Sequence, residues 1–494
     1  MTDLVALPAQ GVSAEQILAE ISALRQGDLP THGGQVFAYV FDPAVSGLDE
    51  LANAAYAAAG QVNGLNPAAF PSLLTMENAV VGAAARLLGG GPTGVSTVVG
   101  NVTSGGTESL ILAVKAARDA RPEVADPELV APSSAHAAFA KAARYLRVRL
   151  VSVPVSARSL RPEPAELAAA ITDATVLVAC SAPSYPHGVV DPVAEIAAVA
   201  AGRGVRCHVD ACVGGWILPY LRRLGVPVPA FDFTVPGVTS ISVDLHKYGY
   251  CPKGVSVLLH RDDALRASQY FGYADWPGYT VVNPTIASTR SGGPVASAFA
   301  TLRHLGDEGY LRLAAQALAA ARDLADAVRS VPGLALLPAD GSELASTVVA
   351  FTSTDPALDL FVLADELAAR GWHTQPQLTF ADLPRSIHLT VTAAVAPRTG
   401  QFRTDLAEAA AAARALGPVS LPADLAHLVA GLSPAELSPD LVASLGAGLG
   451  IDGASGSPLP ARQALINTLL DAAPVPVRQA LLVAFLRLLQ RPTG

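Results

Sequence analysis

The feature that most constrains the fold is a regular alternation of short apolar runs and short helical patterns between positions 96 and 260. Strands joined by short helices are typical of an α/β fold with a largely parallel sheet. The apolar runs at 240–244 and 254–260 are separated by a turn too short for a crossover helix, so we expect this last pair to be antiparallel. The other predicted strands lie at residues 96–99, 128–131, 149–153, 174–180 and 205–210.

Changes of pattern divide the chain into four predicted parts. A long helical pattern at residues 295–328 is followed by alternating elements between 334 and 395, which indicate a smaller α+β domain. Beyond Gly417 the sequence is helical and rich in Leu, Ala and Pro, with a Gly/Ser-rich linker at 446–458. We therefore expect an N-terminal segment (1–60), a large domain (61–310), a small C-terminal domain (311–417) and a helical C-terminal extension (418–494).

The composition argues against several classes of protein. Hydrophobic residues make up 51% of the 494, but Pro or a charge interrupts every long apolar stretch, so no membrane-spanning run is present. Because residues 1–10 also lack a signal-peptide pattern, we expect a cytoplasmic protein with no transmembrane segment. A net charge of −9 without basic clusters argues against a nucleic-acid surface. Cys180, Cys207, Cys212 and Cys251 show no metal-site spacing, so free thiols and no metal are expected.

Lysine is rare in this chain, with only Lys115, Lys141, Lys247 and Lys253 among 33 basic residues. Lys247 and Lys253 lie in one short segment, and chance clustering is the simplest alternative. Lysine can lose its proton and attack a carbonyl, whereas arginine cannot. Lys247, at the end of a predicted strand, is therefore either a surface residue of a turn or the lysine of a Schiff base.

Two further motifs precede Lys247. Ser104-Gly-Gly-Thr-Glu108 lies between a predicted strand and a helix, where glycines and a helix N-terminus suit a phosphate. A glycine turn that caps a helix is the alternative. Asp210 ends a buried-type strand, where it either pairs with a protonated pyridine nitrogen or caps the next turn. A phosphate cradle, a strand aspartate and a lysine, in this order, are what an enzyme dependent on pyridoxal 5′-phosphate (PLP) requires.

Longer stretches around these motifs carry a resemblance to a known family. They include Val102-Thr-Ser-Gly-Gly-Thr-Glu-Ser109 and His246-Lys-Tyr-Gly-Tyr250, with residues 130–139, 186–192, 208–215, 231–233, 237–242, 275–276, 284–287 and 292–293. The sequence resembles the sphingosine-1-phosphate lyases, within the PLP-dependent group II decarboxylase-like enzymes. The resemblance is collinear from about residue 47 to 309. It implies a PLP-dependent transferase-like (fold type I) α/β fold with a mostly parallel central sheet, a smaller α+β C-terminal domain and a helical tail.

The resemblance implies a cofactor site for pyridoxal 5′-phosphate. Lys247 would bind the cofactor covalently, and Asp210 would keep its ring nitrogen protonated. His136 would stack on the ring, the alternative being a buried, hydrogen-bonded imidazole. Gly292 and Gly293 would come from the neighbouring subunit of a homodimer. The groups implied to bind the cofactor phosphate are Ser104, Gly105, Gly106, Thr107, His246, Gly292 and Gly293.

The resemblance also implies a small phosphorylated amino alcohol as substrate, which in this family is a lipid. The expected reaction is retro-aldol cleavage of a phosphorylated long-chain base to a fatty aldehyde and phosphoethanolamine. Lys253 and His187 would join Lys247 in catalysis, although Lys253 could instead be a solvated turn residue. The residues expected to bind the substrate are Tyr39, Phe41, Asn66, His187, Tyr248, Tyr250 and Lys253.

Departures from the family pattern fall on the substrate side. Asn66 and Ala68 stand where the family has His and Asp, Phe41 where it has a tyrosine, and Tyr279 and Ser288 where glycines are common. Asn brings neither positive charge nor a proton relay at neutral pH. The alternatives are therefore a lyase for a different phosphorylated amino alcohol, an amino-acid decarboxylase of the same fold, and a non-catalytic PLP-binding protein.

Overall fold

The computed structural model describes residues 7–437, 441, 444–446 and 459–490. Its largest sheet within these residues contains the strands β1 (Val99–Thr103), β2 (Glu128–Pro132), β3 (Arg149–Val153), β4 (Thr175–Ser181), β5 (Arg206–Asp210), β6 (Val238–Asp244) and β7 (Ser256–His260). The spatial order is β1-β7-β6-β5-β4-β2-β3. The pairs from β3 to β6 are parallel, and β7 is antiparallel to both of its neighbours. The predicted α/β sheet with an antiparallel last pair is confirmed.

Both faces of this sheet are buried, which explains why its strands are apolar throughout. Val130 and Val178 belong to one apolar cluster, whereas Leu129 and Leu177 belong to another, because successive side chains of a strand point to opposite faces. The helices of this half of the chain are α1 (Ala14–Leu24), α2 (Leu48–Ala59), α3 (Pro71–Leu87), α4 (Gly106–Asp119), α5 (Ala138–Leu146), α6 (Pro164–Ala169), α7 (Val193–Gly202), α8 (Leu218–Arg223), α9 (Asp263–Ala267) and α10 (Gly293–Ser330). A short hairpin, β8 (Phe271–Tyr273) and β9 (Val281–Asn283), precedes α10.

The edge strand β1 differs from its prediction. A strand was expected at residues 96–99, but β1 covers Val99–Thr103 because the backbone there forms an antiparallel ladder with β7, with Val102 opposite Val257. The ladder continues to Thr103, so the glycine-containing motif begins directly at the end of a strand. Ser104 and the glycines therefore lie at the same edge of the sheet as the ends of β5 and β6.

The small domain is built on a second, antiparallel sheet. Its strands are β10 (Leu334–Leu337), β11 (Val348–Ser353), β12 (Gln375–Gln377) and β13 (Ser386–Thr390), in the order β10-β11-β13-β12, with the helices α11 (Leu360–Ala368) and α12 (Thr399–Leu416). Phe37 also belongs to this core, since its ring stacks on Trp372 at 5.7 Å and meets Phe402 edge-on at 5.3 Å. Part of the N-terminal segment therefore completes the small domain.

Helix α10 joins the two domains. Gly306 has non-helical dihedral angles (φ 60°, ψ 176°) and marks a kink in it. Its buried residues up to Leu318 pack with the large sheet, and those from Ala320 onward pack with the small domain. The helix thus crosses the expected 310/311 boundary, and the four-part division stays a prediction.

The C-terminal extension contains the helices α13 (Ala423–Gly431), α14 (Ala464–Ala472) and α15 (Val475–Leu489). They share a small apolar cluster of their own that includes Val429, Leu469 and Val477. Most of the predicted linker, residues 447–458, lies outside the described residues. Among the helices in the described ranges, none is long and apolar enough to cross a membrane.

Candidate active site

A central cavity of about 400 Å³ opens where β1, β5 and β6 end. Open α/β sheets bind ligands at this edge. The cavity brings together most of the predicted cofactor residues, which reach it from the end of a strand, from the start of α4 or from the turn before α5. Its polar and glycine lining consists of Ser104, Gly105, Gly106, Thr107, Glu108, His136, Tyr185, Asp210, Asp244, His246 and Lys247.

The glycine-containing motif forms one wall of the central cavity. A Cβ atom on Gly106 would lie 2.7 Å from Cys212 Sγ and 2.8 Å from Asp244 Oδ1, so only glycine fits there. A Cβ on Gly105 would meet nothing closer than His246 Cε1 at 3.8 Å. The backbone N–H groups that begin α4 have no partners within the helix and carry its partial positive charge. This wall therefore suits a phosphate.

Glu108 fixes the shape of this wall. Its Oε2 accepts hydrogen bonds from the backbone N and the Oγ of Ser104 at 2.6 and 2.7 Å. Its Oε1 accepts one from the backbone N of Ile286 at 2.8 Å. Because the hydroxyl hydrogen of Ser104 points to Glu108, the donors left for an anion here are backbone N–H groups and the Thr107 side chain.

Lys247 lies at the floor of the central cavity in a buried ion pair. Its Nζ is 2.9 Å from Asp244 Oδ2, and Asp244 also accepts a hydrogen bond from Ser256 Oγ at 2.6 Å. Burial is the largest single influence on the pKa of Lys247 and would lower it, but Asp244, together with Cys212 and Asp210, outweighs burial and raises the pKa. Burial would likewise raise the pKa of Asp244, yet Lys247 and His246 hold it below its ordinary value. The lysine is thus kept charged beside the phosphate wall.

His246 and Asp210 complete the charged part of the site. His246 donates from Nδ1 to Val255 O at 3.0 Å, which leaves Nε2 facing the cavity, 3.7 Å from Asp244 Oδ2. Burial lowers the pKa of His246, with Asp244 acting in the opposite direction. Asp210 is buried, and its Oδ1 accepts from Cys212 N at 3.0 Å. A carboxylate at the end of β5 can accept a hydrogen bond from a protonated ring nitrogen.

These residues fit pyridoxal 5′-phosphate. The backbone N–H groups of the glycine wall would hold the phosphate, and Lys247, which lines the same cavity, would hold the aldehyde carbon. Asp210 and the ring of His136 lie on the same cavity, one suited to the pyridine nitrogen and the other to its face. His136 Nδ1 accepts a hydrogen bond from Ala138 N at 3.1 Å, which orients the imidazole.

A side cavity of about 310 Å³ adjoins the central cavity and shares His136 and Tyr185 with it. It lies between the two domains, and its far wall is the loop between β12 and β13. His187 lines this cavity, not the central one, and burial lowers its pKa to about 4. Within the described structure, three buried atoms that belong to its lining have no hydrogen-bond partner: Ser134 Oγ, His187 Nδ1 and Ser386 Oγ.

Lys253 lies on the side of the site formed by the N-terminal segment. Its Nζ donates to Tyr39 O at 2.8 Å and lies 5.7 Å from the centre of the Phe41 ring. Burial, followed by the charge of Lys247, lowers its pKa. Tyr39 is exposed and has a left-handed backbone conformation (φ 65°). The structure thus brings Tyr39, Phe41 and Lys253 together.

Tyr248 and Tyr250 do not take the substrate-facing positions expected for them. Both are buried, and neither lines the central or the side cavity. Tyr248 donates its hydroxyl to Val391 O at 2.9 Å and accepts from Thr347 Oγ1 at 2.7 Å, which ties the large domain to the small one. The turn after Lys247 places Tyr250 in a left-handed conformation (φ 55°) that points its ring into the core against Tyr310. In this chain both rings pack in the core, and their predicted contact with the substrate remains a prediction.

Asn66, Gly292 and Gly293 lie apart from the central cavity. Asn66 lines an outer cavity of about 760 Å³, and its Oδ1 accepts from the backbone N of Ala68 and Ala69. A Cβ on Gly293 would lie 2.7 Å from the ring of Tyr56, so this glycine lets α2 pack against α10. Their predicted contacts with cofactor or substrate remain predictions.

Sequence reasoning missed four residues of the site. Asp244 precedes Lys247 by three positions at the end of β6, so its place in the sequence was a usable signal. Glu108 closes the glycine motif at the first turn of α4. Tyr185, whose hydroxyl donates to Gln375 Oε1 at 2.8 Å, and His388, whose ring lies 4.7 Å from that of Tyr185, meet across the domain boundary, which no local pattern reveals. Within the described residues, no cluster of His, Cys, Asp or Glu could hold a metal ion.

Comparisons with known proteins agree with this geometry. The family model described as the pyridoxal-dependent decarboxylase conserved domain matches residues 5–353. A second, described as a C-terminal putative HTH domain of pyridoxal-dependent enzymes, matches residues 422–488. The sphingosine-1-phosphate lyase of Arabidopsis thaliana is 37% identical over 422 residues, which cover 84% of this chain and 75% of that protein.

Solved structures show the same likeness. A sphingosine-1-phosphate lyase of Burkholderia pseudomallei is 35% identical, with a TM-score of 0.77 over 84% of this chain and 94% of that one. A glutamate decarboxylase of Lactobacillus brevis has a TM-score of 0.72 over 83% and 95% of the two chains, but only 19% identity. The second likeness shows the shared fold alone.

Proposed function

Because the chain belongs to the sphingosine-1-phosphate lyase family of pyridoxal-dependent enzymes, we propose that it is a carbon–carbon lyase. It cleaves a phosphorylated long-chain base into a fatty aldehyde and phosphoethanolamine. The observation that carries the proposal is the position of Lys247, buried at the end of β6 beside the phosphate wall and paired with Asp244. The identity to named lyases, 35–37% against 19% for the decarboxylase, supports the lyase over the decarboxylase.

Pyridoxal 5′-phosphate is the cofactor of this family, and when bound it supplies an electron sink for the electrons released by bond cleavage. The chain's own residues prepare the site for it. The start of α4 and His246 would bind the phosphate, Asp210 would keep the proton on the ring nitrogen, and His136 would cover the ring. Lys247 would form the covalent link, and its Nζ holds a proton next to Asp244 when the lysine is free.

The residues expected to contact the substrate form two groups. One lies around the positively charged Lys253, and the other lines the side cavity. Lys253, next to Tyr39 and Phe41, supplies the positive charge that attracts the substrate phosphate. In the side cavity burial lowers the pKa of His187 to about 4, so this imidazole is uncharged at neutral pH, and burial acts in the same way on His388, which lies against Tyr185. An uncharged imidazole with an unpartnered Nδ1 can bind the hydroxyl group of a long-chain base, so we assign the hydroxyl and the first part of the chain to this cavity.

A homodimer is also part of the proposal. Gly292 and Gly293 lie away from the central cavity of their own chain, which supports the expectation that they act at the neighbouring subunit's site. The four cysteines are unpaired and buried, which supports a reducing compartment such as the cytoplasm.

Product analysis tests the proposal. Purified protein with PLP is incubated with phosphorylated sphingoid bases, shorter phosphorylated β-hydroxy amines and amino acids, and aldehyde, phosphoethanolamine and carbon dioxide are measured. Aldehyde with phosphoethanolamine is the expected result, and carbon dioxide from an amino acid would replace the lyase with the decarboxylase. Aldehyde from the shorter amines alone would move the activity to a different phosphorylated amino alcohol.

The Lys247→Ala variant tests the residue that carries the chemistry. Turnover should fall by about 10⁴-fold or more, because no other group can form the covalent link. Borohydride reduction followed by peptide mapping should place the pyridoxyl label on Lys247 in the unmodified protein and remove it from the variant. Lys141→Ala is the matched control, since Lys141 lies over the exposed ring of Tyr145 and outside every cavity of the site. Retained turnover in Lys247→Ala would refute the assignment.

A further inference from the structure

The C-terminal extension contacts a wall of the side cavity through one buried carboxylate. Asp471, in the last turn of α14, has a side chain that is 7% exposed. Its Oδ1 accepts a hydrogen bond from the backbone N of Thr379 at 2.7 Å. Its Oδ2 accepts from Thr379 Oγ1 at 3.1 Å and from Arg385 Nε at 2.7 Å. Charge-assisted hydrogen bonds of this kind are stronger than neutral ones.

The two residues that Asp471 binds stand at the two ends of one loop. This loop, residues 378–385, joins β12 to β13, and we refer to it as the wall loop. Leu378, Phe380, Leu383 and Pro384 of the wall loop line the side cavity opposite His187. Asp471 therefore lies behind the loop and holds its ends, while the apolar side chains of the loop face the cavity.

The remainder of the extension is attached elsewhere. Asp365 of α11 accepts hydrogen bonds from the backbone N of Gln463 and Ala464 at 2.8 and 3.0 Å, which caps the start of α14. Arg462 also pairs with Glu366 at 2.8 Å. These contacts dock α14 on the small domain without touching the wall loop. The helix is thus fixed at its first turn and reaches the wall loop with its last.

The charged residues of the C-terminal extension argue for contacts with the rest of this chain and against a nucleic-acid surface. Residues 422–488, the part similar to a putative HTH domain, contain three arginines and five acidic residues. Arg462 binds Glu366, and Arg478 donates to the backbone O of Asp471 and Ala473. A nucleic-acid surface needs clustered basic side chains that are free to contact phosphates. Arg462 and Arg478 instead hold the extension to the small domain and its own helices together.

We propose that the C-terminal extension is a positioning element of the active site, in which Asp471 holds the wall loop against the side cavity. Asp471 acts on the substrate through the loop and touches no reacting group. Loss of this contact loosens the wall that faces the hydroxyl and chain of the substrate, while the cofactor residues stay in place. The effect on the substrate rests on the proposed function, whereas the effect on the loop does not.

The test compares Asp471→Ala with Arg462→Ala in the full-length, PLP-loaded protein. Each variant removes one ion pair between the extension and the small domain. Only the pair of Asp471 with Arg385 involves the wall loop. In Asp471→Ala we expect hydrogen exchange of residues 378–386 to speed up about tenfold. We expect KM for a phosphorylated sphingoid base to rise about tenfold, kcat to change less than about twofold, and PLP affinity to stay constant. Arg462→Ala should leave the exchange and KM unchanged.

Thr379→Val provides a second variant from the loop side. It removes the hydroxyl donor to Asp471 and keeps the backbone contact, so it should shift exchange and KM in the same direction but less. Unchanged exchange of the wall loop in Asp471→Ala overturns the proposal, as does an equal effect in Arg462→Ala or a matching loss of PLP affinity. If the unmodified protein cleaves no phosphorylated sphingoid base, the proposed function fails, and hydrogen exchange alone decides whether Asp471 holds the loop.

Discussion

The central cavity and the side cavity share His136 and Tyr185 but differ in how their polar groups are satisfied. In the central cavity Lys247 has Asp244 as partner, and Ser104 has Glu108. In the side cavity burial lowers the pKa of His187 to about 4, and three buried polar atoms lack a partner within the described residues. An unsatisfied buried polar group costs roughly 1–3 kcal/mol. The difference indicates that the charged groups of the central cavity are already paired within the chain, whereas polar atoms of the side cavity are left to be paired by a ligand.

The largest effect is expected when the ion pair of the central cavity is broken. Asp244→Asn removes the ion-pair partner of the buried Lys247 and leaves only the more weakly acting Asp210, so the pKa of Lys247 should fall. The free energy of unfolding of the cofactor-free protein at pH 7 should fall by roughly 3 kcal/mol. Chemical denaturation measures the stability, and the pH dependence of Lys247 labelling by an amine-reactive reagent measures the pKa.

The control for this variant is Asp263→Asn. Asp263 forms an ion pair with Arg266 at the same sequence spacing, i to i+3, but its side chain is 75% exposed. Exposed pairs contribute little, so this variant should leave the stability nearly unchanged. If both variants behave alike, Asp244 is not the group that keeps Lys247 charged, and the contrast between the two cavities weakens.

The second effect concerns the fit of the phosphate wall. In Gly106→Ala the added Cβ meets Cys212 and Asp244 at less than 3 Å, so the start of α4 must move and PLP affinity should fall by about 30-fold. Gly105→Ala adds the same group where the nearest atom is 3.8 Å away and the backbone is extended (φ 164°), so its loss of affinity should be several-fold smaller. Titration of each cofactor-free variant with PLP measures this. Equal losses would show that the wall is not shaped by contact with Asp244.

The third and smallest effect is a pH dependence from the side cavity. His187 has an unfolded pKa near 6.5 and a folded pKa of about 4, so between these values the unfolded state binds more protons. The contribution of the neutral, buried His187 to the free energy of unfolding is therefore fully present above about pH 6.5. It is lost as the pH falls toward 4. Between pH 7.5 and pH 5 this one residue should lower the free energy of unfolding by about 2 kcal/mol.

His187→Gln removes this titration. Between pH 7.5 and pH 5 the free energy of unfolding should fall in both proteins. The fall should be about 2 kcal/mol smaller in the variant than in the unmodified protein. Denaturant unfolding at the two pH values measures the difference. An identical pH dependence in both proteins would mean that burial does not lower the pKa of His187, and the contrast between the two cavities would lose its support.

The sequence was sufficient for the sheet and for much of the cofactor site because both follow from local patterns. The alternation of strands and helices predicts the parallel sheet, and the ends of β5 and β6 place Asp210 and Lys247 on the same edge. Asp244 was available to the same reasoning, since it ends β6 three positions before Lys247. The strand β1 was misplaced because its pairing with β7 depends on residues some 155 positions away.

The substrate side could not be derived in the same way. Tyr248 and Tyr250 adjoin Lys247 in the sequence, but a left-handed residue at Tyr250 turns their rings into the core. The wall loop and His388 reach the site from the small domain, and Asp471 reaches the wall loop from the extension. Only tertiary packing brings these groups together, so no spacing in the sequence predicts them.

The packing of Phe37 in the small domain has a consequence for synthesis on the ribosome. Its ring is covered by Trp372 and Phe402, which are made 335 and 365 residues later. At roughly 5–20 residues per second, this aromatic side chain waits about 20 to 70 s before both partners have been made. The core of the small domain can therefore close only after Phe402 has been added, and until then the ring of Phe37 lacks the partners that cover it.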